Sequence, residues 1–347
     1  MTRILQIGAG GFGRMHLQAW LELGYRDALW IAELSPERRA WAIARGVPRE
    51  QVLADFRARL DATDVVDIVT ATDTHGALCR AALAARKDVF IEKPFTMTSA
   101  EARELVALAE QQERIVQVGY YYRVHPIAQW IKAQLAGGAL GDVRYINAKF
   151  LGFKRARTDV GVTHTDAIHF LDLINWLLVD EPLDVFAVTR DHFKRGLEDL
   201  SVVLLTYPDG VVAHVESGYI QPGQWNDRVV PHAKTTKTLV VCGSRATIEA
   251  DFETGTVELF RVYHEQRDGI WQLVNDGSTR PALPAVGPVD QVKLELEAFL
   301  RCVATRAMPE ANATGSGVAL AELIEAVYRS AAQRHIVELT SLDQVAT

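Results

Sequence analysis

A glycine-rich turn, Gly8-Ala-Gly10-Gly-Phe12-Gly13, directly follows the apolar run Ile4-Leu-Gln-Ile7 and opens a helical pattern. No other feature constrains the fold of this chain as tightly. In a βαβ unit the first glycine makes the tight turn. The second lets the backbone approach a pyrophosphate, and the third allows close helix–strand packing. The free N–H groups and dipole at the helix N-terminus favour the negative charge of that group. Glu33 ends the next apolar run, 20 residues beyond Gly13. An acid at this point accepts hydrogen bonds from ribose hydroxyls and repels a 2′-phosphate, which favours NAD over NADP. Arg38, one turn further on, is able to face such a phosphate instead, so NADP stays open.

The rest of the first 122 residues keeps one rhythm. Apolar runs at Leu29 to Ala32, Val65 to Val69, Val89 to Ile91 and Ile115 to Val118 alternate with helical stretches such as Ser35 to Arg45 and Ser99 to Gln112. Continuous apolar runs suit strands buried on both faces, as in a doubly wound parallel sheet. Ser35 before Pro36 reads as a helix N-cap, and Ser99 as another. After Tyr122 the pattern changes. Helical segments at Pro126 to Leu135 and Thr165 to Leu178 accompany strands at Val143 to Phe150, Asp184 to Thr189, Leu200 to Thr206, Val211 to Gly218 and Leu239 to Cys242. Pro208-Asp-Gly210 reads as a hairpin turn, Gln221 to Thr236 as a long loop, and Val289 to Ala304 and Val318 to Ala332 as closing helices. The fold class is therefore α/β: a Rossmann domain over 1–122, then an α+β domain over 123–347 with a mixed or antiparallel sheet. Two domains also suit 347 residues at roughly 100–200 per domain.

Composition narrows the function. With 37 Lys and Arg against 44 Asp and Glu the formal charge is −7, without a basic stripe for nucleic acid or an anionic membrane. No apolar run reaches the roughly 18 residues of a membrane span, and the apolar start is too short for a signal peptide. Cys79, Cys242 and Cys302 are too scattered for a disulfide framework or a metal knuckle, which suggests a reducing cytoplasm. His164 and His169 are five apart and do not share one α-helical face, so no metal site is expected.

Three further segments carry a resemblance. Val69-Thr70-Ala71-Thr72-Asp-Thr-His75, Val89-Phe-Ile-Glu92-Lys93-Pro94 and Val118-Gly-Tyr-Tyr121-Tyr122-Arg123-Val-His-Pro126 are similar, in order and spacing, to the glucose-fructose oxidoreductase / inositol dehydrogenase / MocA family. Gly141-Asp-Val143, the helix with His169 and Asp172, the Pro208 hairpin and Cys242-Gly-Ser also fit. The Glu-Lys-Pro triplet is the most specific part. The resemblance implies a C-terminal domain on a large open sheet that makes homodimers or homotetramers. It also implies an NAD(P)-dependent dehydrogenase or reductase of hydroxyl and keto groups on sugars, cyclitols and nucleotide sugars.

That chemistry needs a cofactor to exchange hydride and a group to exchange the hydroxyl proton. Lys93 at a strand end is the first candidate, because burial lowers a lysine pKa and a base poised near neutrality is worth about 100- to 10,000-fold. Glu92 is expected to orient it, and both residues to adjoin the cofactor. Thr70, Ala71 and Thr72 replace the family's Thr-Pro-Asn and should pass under the nicotinamide ribose, with His75 beside them or serving as a helix cap. By resemblance His169 stands near the substrate hydroxyl. Thr165 stands where the family often has Asp, so either Lys93 and His169 suffice or His164 or Asp166 substitutes. Asp172 reads as an orienting residue and Arg123 as structural or functional. Tyr121, Tyr122, Arg157, Thr165 and His169 are candidate substrate contacts with Lys93. The Lys154, Arg155, Arg157 cluster reads either as a solvated loop or as a carboxylate or diphosphate site. Trp225 and His232 could cover the pocket. Two other readings stand beside the polyol dehydrogenase: a non-catalytic NAD-binding sensor on the same fold, and a reductase of an imine or cyclic diol.

Overall fold

The structure, a computed structural model, describes residues 1–154, 157–311 and 313–339. The chain forms two compact units, Met1–Tyr121 with Gly287–Glu322, and Tyr122–Val286 with Leu323–Thr347. The sequence division at 122 has no place for the return of 287–322 to the first unit.

The first unit begins β1 (Ile4–Ile7), α1 (Gly13–Glu22), β2 (Leu29–Ala32), α2 (Pro36–Ala44), β3 (Val52–Leu53), α3 (Arg57–Leu60), β4 (Val65–Ile68), α4 (His75–Ala84), β5 (Asp88–Glu92), α5 (Ser99–Gln111) and β6 (Val116–Gly119). Its sheet runs β3-β2-β1-β4-β5-β6, and every pairing is parallel. All strand C-termini therefore share one edge, and the order reverses between β1 and β4, where open α/β sheets bind ligands. Ser35 caps α2 and accepts from the Arg38 N–H. For α5 the cap is Thr98, which accepts from Glu101 N–H, and Ser99 is the first helical residue. Both hydroxyl residues satisfy the cap preference, and the extended backbone of Thr98 decides between them.

The second unit contains α6 (Pro126–Ala136), β7 (Val143–Leu151), α7 (Ile168–Leu178), β8 (Asp184–Arg190), β9 (Leu200–Thr206), β10 (Val212–Gly218), β11 (Trp225–Asn226), β12 (Lys234–Gly243), β13 (Thr247–Asp251), β14 (Thr256–Arg267) and β15 (Ile270–Thr279). After α8 (Pro288–Thr305), the chain closes with α9 (Val318–Gln333) and β16 (Val337–Glu338). The large sheet runs β15-β14-β13-β12-β7-β10-β9-β8-β16, with β11 paired to β12. Only β7 and β10 pair in parallel among the described strands of this sheet. The Pro208 hairpin joins β9 to β10, with Asp209 at φ 58° and Gly210 at φ 78°.

The segment expected as a loop over 221–236 contains β11 and the start of β12. Gln221, Gln224, Asn226, Arg228, His232 and Lys234 are exposed, whereas Asp227 and Thr235 join a buried polar cluster with Lys237 and Glu253. Lys237 Nζ lies 3.0 Å from Asp227 Oδ2 and also contacts Glu253, and Thr235 Oγ1 stands 2.9 Å from an oxygen of each carboxylate, with one proton to give. The outer parts of β14 and β15 expose both faces, with Ile270, Trp271 and Leu273 all more than 60% exposed. Without a buried face they lack the alternation that announces a strand.

The return of α8 follows from its apolar spacing. Val292, Leu296 and Phe299 are fully buried in the core that holds Leu17, Trp20 and Phe90. The Phe90 and Phe299 rings meet edge-on, 5.8 Å apart. Phe299→Ala should destabilise the first unit by about 3–5 kcal/mol, read from urea unfolding followed by Trp20 fluorescence. A change within a few tenths of a kcal/mol would detach α8 from this core.

Candidate active site

The first unit carries a turn shaped for close approach. At Gly8, with φ 99°, a Cβ would sit 2.3 Å from the Val69 carbonyl oxygen, and at Gly13 it would sit 2.6 Å from the Gly8 carbonyl oxygen. At Gly11, by contrast, nothing lies within 4 Å. Gln6 Nε2 donates to both the Gly8 and Gly13 carbonyls at 2.8 Å, clamping the loop from below. Phe12 occupies the N-cap of α1, and no side chain caps that end, so the helix terminus is shaped for an external anion. Glu33 is buried. Its Oε2 accepts from Ala9 N–H and its Oε1 from Ser35 N–H, each at 2.8 Å. Arg38 Nη1 stands 3.7 Å from the same carboxylate and is the nearest group to Gly10. The turn, its open top and the acid beside it fit an adenine dinucleotide.

On the same sheet edge, β4 leads into Thr70, Ala71 and Thr72. Ala71 is exposed, Thr72 is buried, and Thr74 Oγ1 lies 2.7 Å from Thr70 Oγ1. β5 ends at Glu92, and Lys93 precedes Pro94 through a cis peptide bond. Glu92 Oε2 accepts from Lys93 N–H at 3.3 Å. His75 opens α4 rather than capping it. It is buried, and its Nδ1 donates to the Pro94 carbonyl at 2.8 Å. Lys93 is half-buried between these anchors. Tyr121, also half-buried, packs its ring 6.3 Å from Phe12.

In the second unit, Thr165 and Asp166 lie on a π turn, Thr163–Ala167, that leads into α7. The spacings of four and three that would put Thr165, His169 and Asp172 on one face of a continuous α-helix therefore do not hold at Thr165, because a π turn is wider; such turns are frequent at functional sites. Thr165 Oγ1 lies 2.7 Å from the Tyr219 hydroxyl. Burial, together with the charge of Asp166, pushes that phenol well above its ordinary range. Asp166 is paired with Lys154 Nζ at 2.6 Å, and that ammonium also stands 4.2 Å over the Phe150 ring. His169 is buried, with the Tyr122 and Phe150 rings at 5.4 and 5.8 Å. Tyr122 itself is 3% exposed and packs its ring, tilted, against Phe252 and Phe170 within an aromatic core.

Other expected site residues are committed elsewhere. His164 stacks on Tyr328, with Nδ1 2.9 Å from a hydroxyl that donates to Glu198. Arg157 pairs with Asp159, and its carbonyl accepts from Arg195. Arg155 lies outside the described residues. Arg123 forms a buried bidentate pair with Asp172, at 2.9 and 2.6 Å. Trp225 donates to Asp251. Among the described residues, no group of three or more His, Cys, Asp and Glu could hold a metal. Sequence reasoning missed His16, Asp67, Gln6 and Tyr219. The signal available for the first three was polar residues at positions whose neighbours are all apolar.

Comparison with known proteins identifies the family. Residues 2–120 match the oxidoreductase family with an NAD-binding Rossmann fold, and residues 128–249 match the GFO/IDH/MocA C-terminal domain. D-apiose dehydrogenase from Paraburkholderia graminis is 27% identical over 97% of this chain and 89% of its own length. UDP-N-acetylglucosamine 3-dehydrogenase from Acidithiobacillus ferrooxidans is 31% identical over 64% of this chain and 71% of its own length. The solved structure of the latter enzyme superposes with a TM-score of 0.78 at 25% identity, covering 95% of this chain and 97% of that one. Levoglucosan dehydrogenase in complex with NADH and levoglucosan shares the fold, with a TM-score of 0.82 at 21% identity over 98% of this chain and all of that one.

Glu33→Ala removes the acceptor beside the first glycine and leaves Arg38 uncompensated. Calorimetric titration should show NAD binding weakened by about tenfold or more and NADP binding strengthened. Unchanged affinity for both would remove Glu33 from the cofactor site.

Proposed function

The chain belongs to the GFO/IDH/MocA oxidoreductase family, and from that premise we propose that it exchanges a hydride between a nicotinamide and a hydroxyl- or keto-bearing carbon of a sugar, cyclitol or nucleotide sugar. NAD, when bound, accepts or supplies the hydride. Gly8, Gly10, Gly13 and the N-terminus of α1 would hold its pyrophosphate, Glu33 its adenosine ribose, and Thr70 to Thr72 the nicotinamide half. The relatives named D-apiose dehydrogenase and UDP-N-acetylglucosamine 3-dehydrogenase support the substrate class.

Lys93 is the acid/base group of this reading. In oxidation its amine takes the hydroxyl proton as the carbon loses hydride; in reduction its ammonium returns the proton to the developing alkoxide. The observation that carries the assignment is its mounting. Glu92 holds the Lys93 N–H and His75 holds the next carbonyl, on the sheet edge that also carries the glycine turn. Catalysis depends on a base held in a near-attack position. His169 is the second proton-handling group, with its ring seated between Tyr122 and Phe150. Thr165 with Tyr219, and Lys154 with Asp166, are polar groups able to meet substrate hydroxyls.

We also propose a homodimer or homotetramer built on the open face of the large sheet. Tyr145, Leu204 and Val212, each 37–41% exposed, lie together there on β7, β9 and β10. The three cysteines are free thiols and suit a cytoplasmic enzyme. No described helix is long and apolar enough to cross a membrane.

Lys93→Ala should lower kcat by about 100- to 10,000-fold while NAD affinity stays near wild type, measured by nicotinamide absorbance with D-apiose, UDP-N-acetylglucosamine and myo-inositol as trial substrates. Loss of NAD binding along with turnover would mean that the lysine serves the cofactor instead. Leu204→Lys with Val212→Lys should lower the light-scattering mass by a whole number of subunits. An unchanged mass would put the subunit contact elsewhere.

A further inference from the structure

Next to Lys93 lies a buried charged cluster that the hydride chemistry does not require. His16, on α1 just past the glycine turn, is 0% exposed. Its Nδ1 lies 3.0 Å from Asp67 Oδ2 on β4, and its Nε2 lies 3.3 Å from Glu92 Oε1 on β5. Trp20 Nε1 donates to the same Asp67 oxygen at 2.7 Å. The Phe12 and Phe90 rings, at 5.4 and 5.6 Å, pack around the imidazole.

A neutral imidazole carries one N–H and can donate to one acceptor. Here both nitrogens face carboxylates; with both of these ionised, both bonds form only when both nitrogens are protonated. Burial alone would drive the proton off. The charges and hydrogen bonds of Asp67 and Glu92 outweigh it and lift the ring pKa from 6.5 to about 10. A folded-state pKa raised above the unfolded one stabilises the fold fully below about 6.5, and that stabilisation is lost as pH rises through about 10. Removing the cation would leave two carboxylates buried without compensation, which is strongly unfavourable.

We infer that His16 is a positioning residue for Lys93: as an imidazolium it bridges Asp67 and Glu92, and so immobilises the carboxylate that accepts the Lys93 amide N–H. This rests on the reading of Lys93 as the acid/base group. Glu92 has little freedom of its own on the other side. A Cβ at Gly119 would stand 2.4 Å from Glu92 Oε1, so the carboxylate lies directly against bare backbone of β6. His16 therefore closes the remaining side of the box. The helix that begins at the dinucleotide turn is thereby joined, through one ring, to the strand end that presents the lysine. A displacement near 1 Å at a reacting group costs on the order of a hundredfold in rate.

The test compares wild type, His16→Gln, Glu92→Gln, the double variant and Lys93→Ala. In His16→Gln, kcat should fall tenfold to a hundredfold with little change in KM or NAD affinity. Amide hydrogen exchange should accelerate at Lys93 but not at Val66 in the middle of β4. In the double variant the two introduced amides can pair, and the carbonyl of the one at position 92 can still accept the Lys93 N–H, so part of the kcat should return. Nitrogen-15 spectra of wild type should show both His16 ring nitrogens protonated at pH 8. Should His16→Gln fail to fold, a further variant, Glu92→Ala, which has no side-chain acceptor for the Lys93 N–H, carries the same exchange and kcat measurements. A neutral His16 at pH 8, or unchanged Lys93 exchange with unchanged kcat, overturns the inference. If Lys93→Ala still turns over, the acid/base reading fails instead, whatever the His16 spectra show.

Discussion

A side chain at position 8 has nowhere to go: its Cβ would stand 2.3 Å from the Val69 carbonyl oxygen. That contact fixes how closely the chain leaving β1 passes β4, and the functional features of the first unit follow from it. The turn can be tight because Gly8 adopts φ 99°, a conformation other residues reach only with strain. Because it is tight, α1 starts directly over the sheet edge, where strand order reverses. Glu33 then reaches back to the Ala9 N–H, and Gln6 holds both ends of the loop. A rigid, open-topped turn results, with Glu33 and Arg38 beside it.

Buried polar groups do the positioning elsewhere. His16 sits between Asp67 and Glu92, Asp88 Oδ1 accepts from Ile115 N–H, and Arg123 meets Asp172 face to face. Each would be costly alone and is acceptable because it is partnered. In the second unit, Lys154 with Asp166 and Lys237 with Asp227 and Glu253 flank Phe150, one of the rings that seat His169. Hydrogen-bond geometry of this kind specifies side-chain direction in a way that apolar packing does not.

Much of this was legible in the chain. Gly8, Gly10 and Gly13 after an apolar run, Glu33 at the next strand end, and the Glu-Lys-Pro triplet pointed to the fold and the family, because backbone sterics leave few residue choices at those points. Legibility ended where geometry depends on distant partners. Nothing local to Lys237 shows that it is neutralised by Asp227 and Glu253, so its surroundings read as a loop. Thr165, His169 and Asp172 read as one face of an α-helix, because a single widened turn leaves no mark on apolar periodicity. The return of α8 to the first unit is visible only once Phe299 is seen against Phe90. His75 illustrates the same limit: the chain alone left it either beside the cofactor loop or capping a helix, and the bond from its ring to the Pro94 carbonyl depends on a partner 19 residues away.

The central claim is that a nicotinamide lies beside the Lys93 amine. A crystal structure of the NAD complex measures this directly. The pyrophosphate should rest on the backbone of Gly10 to Gly13, Glu33 should meet the adenosine ribose, and Lys93 Nζ should face the reactive edge of the nicotinamide. Density showing that amine turned into solvent, away from the ring, would contradict the mechanism even with the dinucleotide in place.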